Sequence, residues 1–255
     1  RGTVRDLAAW FRSGSGVGAA SPPGEFRVAA DGDRAITRLL PAGVHSNLLV
    51  GSDGAVLHSP RFEVPPEPIH VLLAGAGKAR LRLVVRNYPR LGTVYLATTL
   101  EDGVPKWVTI PTAYWKGELA HLEIATAGDL PIDPNDAAGS WFSVVAIDLS
   151  GATPTGVTPP GPAEATRLTQ AIEAWRAGTA TAADTALLDA CLMADVLPTR
   201  LDAAPAIGEI TARWRTLAAA IPPPTRAAGV VERHRVRPAA VRAGQPPAAG
   251  RPRAA

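Results

Sequence analysis

Between Phe26 and Leu149 nine short runs of strand-forming residues follow one another with no helical period between them. They span 26–29, 35–40, 55–64, 69–74, 79–86, 94–99, 107–110, 119–125 and 141–149. Turn formers separate nearly all of them: Asp31-Gly32-Asp33, Asp53-Gly54, Pro65-Pro66, Gly75-Ala76-Gly77, Asp102-Gly103 and Lys116-Gly117. Strands so closely spaced, without helices to cover a parallel sheet, close into an antiparallel sandwich or jelly roll. The sequence therefore predicts a mainly β chain with a β-sandwich module over 21–152. Successive strand side chains leave opposite faces. Ala79, Leu81, Leu83 and Val85 thus point to the core, and Arg80, Arg82 and Arg86 to the other side. Ala120, Leu122 and Ile124 likewise oppose His121 and Glu123. Each strand is expected to have one core face and one wet face. The predicted core is Leu57, Phe62, Val71, Leu73, Leu81, Leu83, Val85, Leu122, Ile124, Phe142 and Val144.

The flanks read differently. Residues 1–20 are expected to be the end of a preceding element and a Gly/Ser-rich linker. Residues 153–162 are a Pro/Gly/Thr linker. A short α-helical segment follows over 163–221, with apolar positions near a period of 3.6: Leu168, Ile172, Trp175; Leu187, Leu188, Cys191, Leu192; Ile207, Ile210, Trp214, Leu217. Three short helices make a marginal core alone and are expected to dock on the sandwich or on another domain. Residues 222–255 are rich in Pro, Arg and Ala and are expected to be disordered.

The formal charge of +3 suggests nucleic acid until it is located. From Arg226 onward seven arginines stand against Glu232, a net +6, which leaves −3 for everything before. The basicity belongs to the tail, so a nucleic-acid surface on the folded part is not supported. No apolar run approaches the ~20 residues of a membrane helix. Cys191 is the only cysteine, excludes an internal disulfide, and reads as a small buried hydrophobe.

The candidate ligand-binding residues are Asn87, Tyr88, Trp107, Tyr114 and Trp115. An amide offers a donor and an acceptor, and an aromatic face takes the C–H side of a sugar. The competing reading of Arg86-Asn87-Tyr88-Pro89 is a simple turn, and that of the tryptophans is core, above all for Trp141-Phe142. Asp129, Asp133, Asn135 and Asp136 place oxygen ligands in one loop, which suits calcium, although the EF-hand spacing is absent. The histidines show no H-x-H or H-E-x-x-H spacing and read as structural; His58 with Asp53 could suggest acid–base work, but no second carboxylate is evident. Gly75-Ala76-Gly77-Lys78 lacks the full P-loop pattern and reads as a hairpin turn. No catalytic residue is identified.

Longer runs carry a resemblance. The stretches RVAADGDRAITRLLPAGVHSNLL, GAVLHSPRFEV, RLVVRNYPRLGTVY, YWKGELAHLEIATAGD and GSWFSVVAI, with LLDACLMADVLPTRL and IPPPTRAAGVVE after them, resemble the planctomycete-type multidomain cytochrome c proteins that carry domains of unknown function. The resemblance implies an internal fragment of a large exported protein, with haem c elsewhere in the parent, none in this fragment, and neighbouring domains as partners. The pattern is lost after about residue 232, so the tail is expected to be frameshifted there. The sandwich is also similar to the galactose-binding-like modules appended to glycoside hydrolases. The expected function is a non-catalytic binding or domain-docking module that contacts either carbohydrate or a neighbouring domain. The alternatives are a purely structural spacer and, third, part of a polysaccharide-active enzyme, which needs paired carboxylates.

Overall fold

The computed structural model describes residues 3–49, 51, 53–88, 92–130, 139–152, 154, 165–197, 199–203 and 205–221. The expected linker 153–162, apart from Pro154, and the tail 222–255 with its expected frameshift lie outside the described residues.

Twelve strands form among the described residues: β1 Phe11–Ser13, β2 Glu25–Val28, β3 Ile36–Leu40, β4 Val44–His45, β5 Val56–His58, β6 Phe62–Glu63, β7 Ile69–Ala76, β8 Ala79–Val85, β9 Ala97–Leu100, β10 Lys106–Ile110, β11 Leu119–Ala125 and β12 Trp141–Asp148. One sheet runs β1-β5-β11-β8-β9, with β6 also on β11. The second runs β10-β7-β12-β4, and β2-β3 form a separate hairpin. Every ladder is antiparallel. The chain is an antiparallel β-sandwich followed by helices α1 Ala165–Arg176, α2 Ala182–Met193 and α3 Pro205–Ala220.

The core fills the space between the two larger sheets. Leu57, Val71, Leu73, Leu81, Leu122, Ile124, Phe142 and Val144 are each 0 or 1% exposed. Each such side chain contributes roughly 1.5–3 kcal/mol on leaving water. The register read from Leu81, Leu83 and Val85 is the observed one, and Phe62 packs against the core half-buried. Gly77 and Lys78 take positive φ between β7 and β8, a tight hairpin in place of a phosphate loop.

Three expectations need correction. Within residues 3–20 the chain packs into the sandwich instead of standing apart as a linker. Trp10 is 2% exposed within the core, its indole N–H donating to the Val4 carbonyl, and β1 pairs with β5. The outer face of the six-stranded sheet is not wet, because Arg82, His121 and Glu123 are as buried as the core. Trp141 is buried, but opposite to Phe142: it lies on the outer side of its sheet, under the Arg27 guanidinium at 4.5 Å from the ring centroid. Burial there, with Arg38 nearby, pulls Arg27 down to about 10.

The helices dock on the β2-β3 hairpin. Leu39, Ala171, Leu187, Leu188 and Leu192 form a second small core, with Cys191 half-buried at its margin. Asp189 takes Arg38 Nε at 3.0 Å, Arg38 Nη2 at 2.9 Å and the Leu39 N–H at 2.9 Å. Arg215 of α3 donates to the carbonyls of Ala29, Asp31, Gly32 and Arg34 around the hairpin turn. The apolar stripe of α3 faces outward, with Ile207, Ile210 and Leu217 between 50 and 69% exposed.

Candidate functional site

Two loops meet at one end of the sandwich. After β8 the chain turns through Arg86 and Asn87, both at positive φ (52° and 58°), and the Tyr88 N–H donates to the Val85 carbonyl at 2.9 Å. Two left-handed residues inside an i to i+3 bond make a type I′ turn. Asn tolerates that conformation, whereas Arg adopts it at a cost of roughly 1–2 kcal/mol. The turn reading of this segment is therefore right about the backbone, and the turn leaves Asn87 exposed and Tyr88 59% exposed.

The second loop joins β10 to β11. Buried Thr112 donates to the Glu67 carbonyl at 2.8 Å and starts a 3-10 turn over Ala113–Trp115. Gly117 N–H bonds the Val64 carbonyl and Glu118 N–H bonds the Trp115 carbonyl. Arg86 closes the two loops on each other by a paired contact to Glu118, at 2.6 and 2.9 Å. That carboxylate raises the already high pKa of Arg86.

Aromatic rings gather where the loops meet. Trp115 is half-buried, and its indole N–H is fixed on the Val94 carbonyl at 2.8 Å. Tyr95 lies against it at 4.8 Å between centroids, and Tyr114 stands edge-on at 4.6 Å and 80°. Tyr114 is 70% exposed, and Val94, Leu96 and Leu119 are exposed as well. The fixed Trp115 ring gives the patch a rigid floor, and the two tyrosine hydroxyls give it polar edges.

Of the candidate residues, the structure brings Asn87, Tyr88, Tyr114 and Trp115 to this end. It does not bring Trp107, which sits half-buried on the outer face of the four-stranded sheet opposite Leu72. Tyr95 was missed, because nothing in Gly92-Thr93-Val94-Tyr95 marks it except its aromatic ring. Asp129 is engaged structurally: its carboxylate takes the Ala55 N–H at 3.1 Å and the Thr126 hydroxyl at 2.5 Å. Asp133, Asn135 and Asp136 lie outside the described residues.

A second group was also missed. Glu123 of β11 stands opposite His58 of β5 and opposite Arg82 of β8 in the ladder. Arg82 donates through Nε at 2.7 Å and through Nη2 to Glu123 Oε1, and Glu123 Oε2 lies 3.2 Å from His58 Nδ1. The His121 ring packs on His58 at 5.3 Å between centroids. The acidic partner of His58 is thus Glu123, not Asp53. The signal was the spacing His121-x-Glu123, but its meaning depends on which strands flank β11.

No known protein family matches the chain, and no curated protein does. Among solved structures it is similar to TmCBM61 in complex with β-1,4-galactotriose, at 15% identity over 55% of this chain and 87% of that one, with a TM-score of 0.34. It is also similar to the xylan-binding module CBM15, at 15% identity over 56% and 90%, with a TM-score of 0.24. A third is the K1 cleaved adhesin domain of Lys-gingipain from Porphyromonas gingivalis W83, at 10% identity over 57% and 94%, with a TM-score of 0.31. Among the described residues no helix is long and apolar enough to cross a membrane.

Proposed function

We propose that the chain is a non-catalytic binding module of a larger exported protein and that it holds a neutral glycan at the loop end around Trp115. The observation that carries this is the exposure of Tyr114, at 70%, on a tryptophan whose own indole is locked to the backbone. A large apolar ring held in water on a rigid support has no role in the core, and sugars offer C–H faces that fit it. Tyr88 and Asn87, held exposed by a strained turn, supply a further ring and an amide at the same end of the sandwich. Anionic polymers are disfavoured, since the chain before Arg226 carries a formal −3. The haem c of the parent and its neighbouring domains belong to this reading as further proposals, drawn from the sequence resemblance.

The test is calorimetric titration of the full chain with neutral oligosaccharides, beside Tyr88→Ala and Tyr114→Ala. Both residues are exposed, so their removal leaves the fold intact. Affinity is expected at roughly micromolar to millimolar, because ordering a flexible glycan on a small wet site offsets much of the contact energy. Each substitution should weaken binding by several fold. Binding that survives both places the site elsewhere, and no binding to any neutral glycan leaves the spacer reading.

A further inference from the structure

β11 carries His121 and Glu123 two residues apart, so both side chains leave one face of the sheet. The ladder adds His58 from the neighbouring strand, directly opposite Glu123. One nitrogen from each imidazole and one carboxylate oxygen all lie within 4.8 Å of one another. His121 and Glu123 are 5 and 1% exposed, and the His58 side chain is 12% exposed.

We propose that His58, His121 and Glu123 form a site for a divalent transition-metal ion, zinc by preference. Two imidazoles and a carboxylate are a borderline donor set that zinc takes as three of its four tetrahedral positions. With metal–ligand bonds of about 2.0–2.1 Å, neighbouring donors in a tetrahedron stand about 3.3 Å apart. His58 Nδ1 and Glu123 Oε2 are already at 3.2 Å. The remaining separations are no more than 4.8 Å, so metal binding requires each to shorten by at most about 1.5 Å.

Arg82 sets the geometry. It takes Glu123 Oε1 with two donors and so turns Oε2 toward His58. Outer-shell partners of this kind orient metal-binding carboxylates. Arg82 also offsets the charge of Glu123, so two neutral imidazoles and a paired carboxylate leave most of the ion's charge uncompensated. This makes the site one of moderate affinity. Softer ions that prefer thiolates find none here, and calcium and magnesium, which need oxygen donors, are excluded by the two nitrogens.

The experiment uses the full chain, stripped with a chelator and titrated with zinc chloride and with cobalt(II) chloride. One equivalent of zinc is expected to bind, cobalt to give the visible band of a tetrahedral site, and the melting temperature to rise with zinc. His58→Gln and His121→Gln should each weaken binding by more than the roughly 10–100-fold that an outer-shell loss costs. X-ray absorption on the zinc-loaded wild type, which needs no variant to fold, should show two imidazole nitrogens in the first shell. No stoichiometric binding, undiminished binding by both variants, or a shell without imidazole would each overturn the proposal.

Discussion

Replacing Asp189 by Ala cuts one of the ties between the helices and the β2-β3 hairpin. The carboxylate accepts from Arg38 Nε, from Arg38 Nη2 and from the Leu39 backbone N–H. Its loss leaves a guanidinium and an amide without that acceptor at an interface where the two side chains are only 14 and 17% exposed. Breaking a buried pair from one side costs roughly 3–5 kcal/mol. Arg38 also keeps its bond to the Gly103 carbonyl at 2.8 Å, and some water reaches the gap. The expected cost is therefore about 2–3 kcal/mol. For a folded unit of this size 1 kcal/mol moves Tm by about 2–4 °C, so the drop should be on the order of 5–10 °C. The control is Asp195→Asn, which removes the charge of the Arg34 pair, with side chains 33 and 60% exposed, and keeps a residue that tolerates the left-handed backbone at φ 59°. That pair is worth at most ~1 kcal/mol. Calorimetric melts of the two variants side by side settle the matter. Equal shifts would refute the reasoning, because they would show that burial of the Asp189 contact adds nothing.

Two further outcomes follow from single residues. His45 is buried between the Ser143 hydroxyl at 2.7 Å and the Pro41 carbonyl at 3.0 Å, and desolvation pulls it from 6.5 to about 4. The fold holds the neutral imidazole, so its contribution is complete above pH 6.5, declines by up to ~1.4 kcal/mol per pH unit toward pH 4, and changes no further below. Urea midpoints across that window should fall less steeply in His45→Gln than in the wild type. Thr181 caps α2, accepting from the Asp184 N–H at 3.2 Å while the Asp184 carboxylate takes the Thr181 N–H at 2.8 Å. Thr181→Ala should cost about 1 kcal/mol in urea unfolding, and Thr181→Ser close to nothing.

The sandwich was legible because its signals are local. The alternation of Leu81, Leu83 and Val85 fixes a face from a single strand, and Gly77-Lys78 marks a hairpin from its own backbone. Trp10 was not legible, since a lone tryptophan in a short segment gives no period and its burial depends on a pairing with β5 more than forty residues away. The polar cluster failed for the same reason. The sheet order β5-β11-β8 sets Glu123 between His58 and Arg82, and strands so far apart in sequence carry no mark of being neighbours. For the binding surface, chemistry picked out Asn87, Tyr88, Tyr114 and Trp115. Trp107 was grouped with them because residue type alone does not tell a loop end from the back of a sheet.

The short strand β1 has a practical consequence. It covers one edge of the six-stranded sheet by pairing with Val56–His58. A truncated protein starting near Ser21, where the sequence suggests a natural boundary, would lose it together with Trp10. The bared β5 would then present a row of unpaired N–H and C=O groups, a template on which a second molecule can add its own strand. Such a truncation invites self-association and poor recovery from expression, whatever ligand the loops prefer. The first residues of the chain thus act as a guard strand, and binding measurements on a shortened module would report on aggregates.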